Sequence, residues 1–283
     1  MTARRFGWIG ANGIRLVGER LGNGPPVVLL HGGGQTRHSW GMTAERIAAI
    51  GMEAICVDLR GHGDSDRALD RDYSIDAHVS DLAALTAQLG RPATLIGASL
   101  GGITALTHVG EQPDGGRSTV AALVLVDVVP RIEDHGVDRI AAFMRANPDG
   151  FDDVDAVAEA VAAYLPGRPR RTETSGLAKN LRKGSDGRMY WHWDPAIMDT
   201  APSADMRKEL TGRATRAAAG VRVPTLLLRG ELSDVVSRTG VADFCDSVPH
   251  AEYAEIPGAG HMVAGDANDP FTSAILDFIC RLC

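Results

Sequence analysis

The sequence predicts an α/β chain with a mostly parallel central sheet, helices on both faces and an inserted α-helical cap, and three observations carry that expectation. Short apolar runs bounded by turn residues recur along the chain at Val27–Leu30, Ala54–Val57, Ala93–Ile96, Leu123–Val126, Thr225–Leu228 and Tyr253–Ile256. Continuous apolar strands that alternate with helical stretches are the pattern of parallel strands buried on both faces. Between them lies a helix signal at Ile75–Leu89, where Ile75, Val79, Leu82, Leu85 and Leu89 step along one face until Gly90 stops it. Finally, roughly a hundred residues separate the run ending at Val126 from the one starting at Thr225, too many for a βα crossover or a structureless loop.

Taken in order, the elements begin with a hairpin. Asn12-Gly13 between Phe6–Ile9 and Ile14–Val17 accepts the positive φ values that a tight type I′ turn demands. Residues 1–129 and 221–283 are expected to form the α/β core, with Trp40 packing beneath its first helix. Residues 130–220 are expected to form the cap, because Val137–Arg145, Phe151–Tyr164 and Ala204–Ala219 have helical composition. Within it, Tyr190-Trp-His-Trp-Asp-Pro195 holds half of the chain's 4 Trp. Such aromatics either wall a pocket or anchor a small insert, so Trp191 and Trp193 are candidates for a substrate pocket, and His192 reads as a solvated or packed imidazole.

Composition narrows the function classes. With 283 residues, 44% apolar and 23% charged, the chain is an ordinary globular protein and neither a disordered nor a disulfide scaffold. Lys and Arg number 29 against 36 Asp and Glu, a net charge of −7, and Arg168-Pro-Arg-Arg171 is the one tight basic run. That balance argues against a nucleic-acid partner, which requires a basic surface. The stretch after Arg4-Arg5 is too short and Gly-broken for a secretion signal, and no apolar run approaches the ~20 residues of a membrane span. The expectation is therefore a cytoplasmic protein with no membrane partner. Cys56, Cys245, Cys280 and Cys283 do not form an oxidised framework, and the C-x-x-C at 280–283 ends a helix with no second ligand pair at zinc spacing. No metal is implied, nor any cofactor: a second Gly-rich phosphate fingerprint is missing.

The chemistry concentrates at strand ends. Gly97-Ala-Ser99-Leu-Gly101-Gly102 is a G-x-S-x-G that follows Ala93–Ile96 and precedes Ile103–Val109. The serine thus sits at a strand-to-helix turn so tight that its flanks must be small, with the helix N-terminus aimed at any oxyanion formed there. Val27–Leu30 runs into His31-Gly-Gly-Gly34, whose glycines let backbone N–H groups approach a ligand. Thr225–Leu228 leads to Asp234, and Tyr253–Ile256 leads into Pro257-Gly-Ala-Gly-His261-Met262. Ser99, Asp234 and His261 stand in the chain order Ser, Asp, His at carboxyl ends of strands.

These residues, with Asp58-Leu-Arg-Gly-His-Gly-Asp-Ser65, resemble the α/β-hydrolase superfamily over nearly the whole chain outside the cap. The closest similarity is to its capped serine esterase, cofactor-free haloperoxidase-like and C–C hydrolase-like branch. The resemblance implies the α/β-hydrolase fold, with Ser99 as nucleophile, His261 as general base and Asp234 as the orienting acid. Asp127 is a reserve for the acid because some relatives place it there. It further implies an oxyanion hole from the N–H groups of Leu100 and Gly33, with Gly34 as the alternative, and a structural role for the Asp58–Ser65 turn. Met262 joins Trp191 and Trp193 as a substrate-pocket candidate.

The function so implied is hydrolysis of a small-molecule carboxylic ester or related acyl compound through an acyl-enzyme. A serine nucleophile argues against the dehalogenase and epoxide hydrolase relatives, which use aspartate. A ligand-sensing or partner-binding homologue with slow turnover, a perhydrolase or haloperoxidase-like activity on the same triad, and a lyase or cofactor-free oxygenase are the other readings of the same motifs.

Overall fold

The structure, a computed structural model, describes residues 2–113, 118–164, 175–199, 203–261 and 269–282. The chain opens with β1 (Arg4–Ile9), β2 (Arg15–Leu21) and β3 (Pro26–Leu30), then α1 (Gly41–Ala49), β4 (Glu53–Asp58), α2 (Ile75–Leu89), β5 (Ala93–Ala98), α3 (Leu100–Gly110) and β6 (Val120–Val126). The segment inserted after β6 carries α4 (Asp134–Arg145), α5 (Val154–Tyr164), α6 (Ser175–Ala178), β7 (Leu181–Lys183), β8 (Met189–Trp191) and α7 (Ala204–Gly220). β9 (Thr225–Gly230), α8 (Arg238–Ser247), β10 (Glu252–Ile256) and α9 (Asp269–Cys280) complete it.

Eight strands form one sheet in the order β1-β2-β4-β3-β5-β6-β9-β10, antiparallel at β1-β2 and β2-β4 and parallel from β4 through β10. Its alternation builds two cores. Val27 and Leu29 of β3 point to the face covered by Trp40, Ile47, Phe271, Ile275 and Phe278 of the α1 and α9 side. Val28 and Leu30 point to the other face, with Leu82, Leu85, Leu106 and Phe244 from α2, α3 and α8. Both faces being dry explains why these strands read as unbroken apolar runs. Trp40, fully buried, stacks on Phe271 at 6.1 Å, between α1 and α9.

The N-terminal turn forms at Asn12-Gly13, both with positive φ (57° and 77°), and Ile14 N–H closes it onto Ala11 O. Pairing starts at Ile9 with Arg15, so the loop is longer than the two residues predicted. Two features of the insert also differ from expectation. β7 and β8 form an antiparallel hairpin, so the insert is not wholly helical. And α7 lies on the core: a Cβ placed on Gly110 of α3 would stand 1.9 Å from the Ala217 carbonyl oxygen, and Ala214, Ala217 and Ala218 are buried. Small residues on both helices permit this backbone contact, so α7 belongs to the layer covering the sheet, which narrows the segment free to cover the site to that preceding α7. Among the described residues, no helix is long and apolar enough to cross a membrane.

Candidate active site

Ser99 follows β5 directly and begins α3 with φ 46° and ψ −114°, a left-handed backbone that costs a non-glycine residue about 1–3 kcal/mol and persists only when its surroundings over-determine it. They do so here. Ser99 N–H donates to Val126 O at 3.2 Å and Ile103 N–H to Ser99 O at 2.9 Å. A Cβ on Gly97 would stand 2.4 Å from Gly101 O, and one on Gly101 would stand 2.4 Å from Leu30 O. The flanking glycines are therefore required by close backbone approach, the reason their sequence pattern implied.

The structure brings His261 to this serine. His261 Nε2 lies 3.2 Å from Ser99 Oγ, and Nδ1 lies 2.7 Å from Asp127 Oδ2. Because a carboxylate can only accept, Nδ1 carries the proton toward Asp127 and the Nε2 lone pair is left to accept the Ser99 hydroxyl. The His261 side chain is 6% exposed and that of Asp127 is fully buried. Gly230 N–H reaches the other carboxylate oxygen at 2.9 Å, and Ser233 O–H donates to Oδ2 at 2.5 Å.

The carboxylate that meets His261 is thus Asp127, the reserve of the sequence reading, and not Asp234. Asp234 stands beside Arg139 of α4, whose Nε donates to its Oδ2 at 2.7 Å. Burial pushes the Asp234 carboxyl upward, but the Arg139 guanidinium outweighs it and holds it below the usual carboxylate range. The same guanidinium stacks on the Tyr164 ring at 4.5 Å and donates to Tyr164 O at 3.0 Å, so Asp234 fastens the insert. Register explains the choice. Ala98 pairs with Val126, which makes Ser99 and Asp127 the next residues along adjacent strands, about 4.8 Å apart in the pairing direction. Asp234 lies four residues past the end of β9, a strand further away. Asp127 also has positive φ (49°), so both strand ends carry a strained residue.

On the other flank, the three loop glycines differ in their N–H groups. Gly32 N–H donates to Gln35 Oε1 at 3.1 Å and Gly34 N–H to His62 Nε2 at 3.1 Å. The Gly33 and Leu100 N–H groups have no hydrogen-bond partner among the described residues. Gly33 and Leu100 are neighbours, a Cβ on Gly33 standing 3.9 Å from Leu100 Cδ2. Two buried imidazoles brace this loop. His31 donates from Nδ1 to Gly32 O and accepts Leu59 N–H at Nε2; His62 donates from Nδ1 to Arg60 O. Burial lowers His31 to about 4, and burial together with neighbouring His31 lowers His62 to about 3. Neutral rings suit the accepting role each plays.

The Asp58–Ser65 turn is a brace and not a second site. Buried Asp58 accepts from Arg37 N–H at 2.7 Å, from Asp64 N–H at 3.0 Å and from the Arg37 guanidinium. Of the pocket candidates, Trp191 packs with Phe143 and Phe151 at 5.8 and 5.6 Å inside the insert. Trp193 is buried and bridges by backbone to His62, while His192 is half-buried and receives Gly63 N–H at its carbonyl. Trp193 therefore ties the insert to the core and Trp191 packs within the insert; no ring contact or hydrogen bond among the described residues ties either to Ser99. From α4, Met144 approaches the glycine loop, where a Cβ on Gly34 would stand 3.3 Å from Met144 Cε. Met262, Cys283 and the 168–171 basic run lie outside the described residues. Among those described, no His, Cys, Asp and Glu cluster suits a metal ion.

Sequence reasoning missed Ser233 and Arg139. Ser233 stood next to the aspartate it drew attention to, and a hydroxyl at a strand end beside a buried carboxylate was the available signal.

Comparison with known proteins bears on the family of the chain. A family model described as alpha/beta hydrolase fold matches residues 25–267. The chain is 30% identical to 2-(acetamidomethylene)succinate hydrolase of Mesorhizobium japonicum, covering 94% of this chain and 92% of that one. It is also 30% identical to an esterase of Mycobacterium tuberculosis, covering 87% and 79%. The crystal structure of E-2-(acetamidomethylene)succinate hydrolase superposes with a TM-score of 0.83 at 28% identity, covering 99% of both chains.

Proposed function

The chain belongs to the α/β hydrolase fold family, and from that premise we propose that it is a serine hydrolase cleaving a carboxylic ester or related acyl compound through an acyl-enzyme on Ser99, His261 and Asp127. The observation that carries this reading is the continuous run Asp127 Oδ2, His261 Nδ1, His261 Nε2, Ser99 Oγ, at 2.7 and 3.2 Å.

Ser99 Oγ attacks the acyl carbon as its proton passes to His261 Nε2. The resulting imidazolium is stabilised by the Asp127 carboxylate, which holds Nδ1–H throughout. Negative charge on the former carbonyl oxygen is met by the Gly33 and Leu100 N–H groups, at the α3 N-terminus where the helix dipole adds to them. His261 returns the proton to the leaving group, and water then enters by the reverse sequence to release the acid. Because the named relatives include an esterase and an acetamidomethylene-succinate hydrolase, the substrate panel spans small acyl esters and N-acyl compounds.

The test is intact mass after exposure to a small fluorophosphonate. A single adduct on the wild type, lost in Ser99→Ala and in His261→Ala, is the expected result. A folded wild type without adduct, or an adduct that persists in Ser99→Ala, contradicts the reading and favours a ligand-sensing role.

A further inference from the structure

Ser233 is bonded from every side. Its hydroxyl oxygen accepts Val235 N–H at 3.3 Å and Val236 N–H at 3.1 Å, and lies 2.5 Å from Asp127 Oδ2. Its own N–H donates to Gly230 O at 3.0 Å. Arg229 reaches the Ser233 carbonyl at 3.4 Å and the Val236 carbonyl at 2.7 Å while Glu255 holds that guanidinium at 2.7 Å. With both lone-pair directions occupied by backbone N–H groups, the hydroxyl proton has one direction left, toward Asp127.

From this geometry we infer that Ser233 is a positioning residue for hydrolysis, holding the Asp127 carboxylate in the orientation from which it steers His261 toward Ser99. The inference rests on the serine hydrolase reading above. Oδ2 receives two donors, Ser233 O–H and His261 Nδ1–H, while Oδ1 receives Gly230 N–H. Two of these three donors belong to the end of β9 and the connection that follows it. That connection contributes no acid of its own, since Asp234 faces Arg139; it supplies the donors that fix the carboxylate of the neighbouring strand. Without the Ser233 hydroxyl, Asp127 keeps one fixed donor besides the histidine and can rotate about its side-chain bonds, carrying the imidazole with it.

The test compares Ser233→Ala and Ser233→Thr with wild type on a turned-over acyl ester, together with the rate of fluorophosphonate labelling. Loss of one hydrogen bond to a charged group predicts a fall in kcat of about tenfold for Ser233→Ala, with KM unchanged. Labelling slows in proportion. Ser233→Thr, which keeps the hydroxyl, recovers to within about threefold of wild type. The low-field proton resonance of His261 Nδ1–H should shift in the alanine variant and return in the threonine variant. If Ser233→Ala does not fold, Ser233→Cys replaces it, filling similar space with a weak donor. Unchanged kcat, labelling rate and resonance in a variant whose wild type labels at Ser99 overturn the positioning role and leave the serine hydrolase reading standing. A wild type that fails to label at Ser99 removes both.

Discussion

Asp127 and Asp234 stand just beyond adjacent strands of one sheet, yet the fold uses them in opposite ways. Asp127 is fully buried and receives three donors, from His261, Ser233 and Gly230. Asp234 keeps about a fifth of its side chain exposed (21%) and spends its charge on Arg139 of the insert. The first is arranged to orient an imidazole; the second closes a link between α4 and the core. Proximity to a strand end makes an aspartate a candidate, but the donors converging on it decide its role, and these come from other parts of the chain.

The largest effects should break this contrast outright. If Asp127, His261 and Ser99 act as a unit, Asp127→Ala and His261→Ala each lower kcat/KM by about 10³–10⁴-fold, and the double variant is barely worse than either. Asp234→Ala should instead combine additively with His261→Ala in the same steady-state assay. A smaller effect sharpens the other side. Arg139→Ala and Asp234→Ala should each lower stability by about 1 kcal/mol in urea unfolding, since the pair is part-exposed and screened. Their double-mutant cycle should show coupling of similar size, with kcat within about threefold of wild type. Substantial loss of kcat on removing Arg139 would mean the insert and the acid are not separate after all.

The smallest difference expected between variants concerns pH. His31, His62, His78 and His108 are held neutral by burial, His31 and His108 at about 4 and His62 and His78 at about 3. Their folded values lie below the unfolded one, so the unfolded chain binds more protons in acid. The stability they contribute is complete above pH 6.5 and is lost as pH falls toward 4, by about 1.4 kcal/mol per pH unit for each group that stays neutral. Asp234, whose carboxyl is held low by Arg139, is still ionised across that window. Thermal melts from pH 7 to 4 should therefore fall with equal slopes in wild type and Asp234→Asn. A slope that depends on Asp234 would tie the acid sensitivity to the insert instead of to the buried imidazoles.

Most of the fold was legible because its signals are local. Strands buried on both faces announce themselves as apolar runs, Gly90 ends α2 in a left-handed cap with φ 65°, and close backbone contact leaves no room for a side chain at Gly97 and Gly101. The meeting of Ser99 and His261 was legible for the same reason, each sitting within a few residues of a strand end. The carboxylate that bonds His261 was not. Both aspartates satisfy the local rule, and register, Ser233 and Arg139 settle between them through contacts across long stretches of chain. The β7–β8 hairpin escaped because three-residue strands carry too little alternation to read. The docking of α7 escaped because composition shows a helix but not its neighbour; only the pairing of Gly110 with the Ala217 backbone reveals it.

The central claim is that Asp127, and not Asp234, completes the chain of bonds to Ser99. The most direct measurement is the second-order rate of fluorophosphonate inactivation for wild type, Asp127→Asn and Asp234→Asn, with folding verified by circular dichroism. The account predicts a loss of about 10³-fold or more for Asp127→Asn and a rate within about threefold of wild type for Asp234→Asn. A full rate in Asp127→Asn with the loss appearing in Asp234→Asn would contradict it and restore the acid to the end of β9.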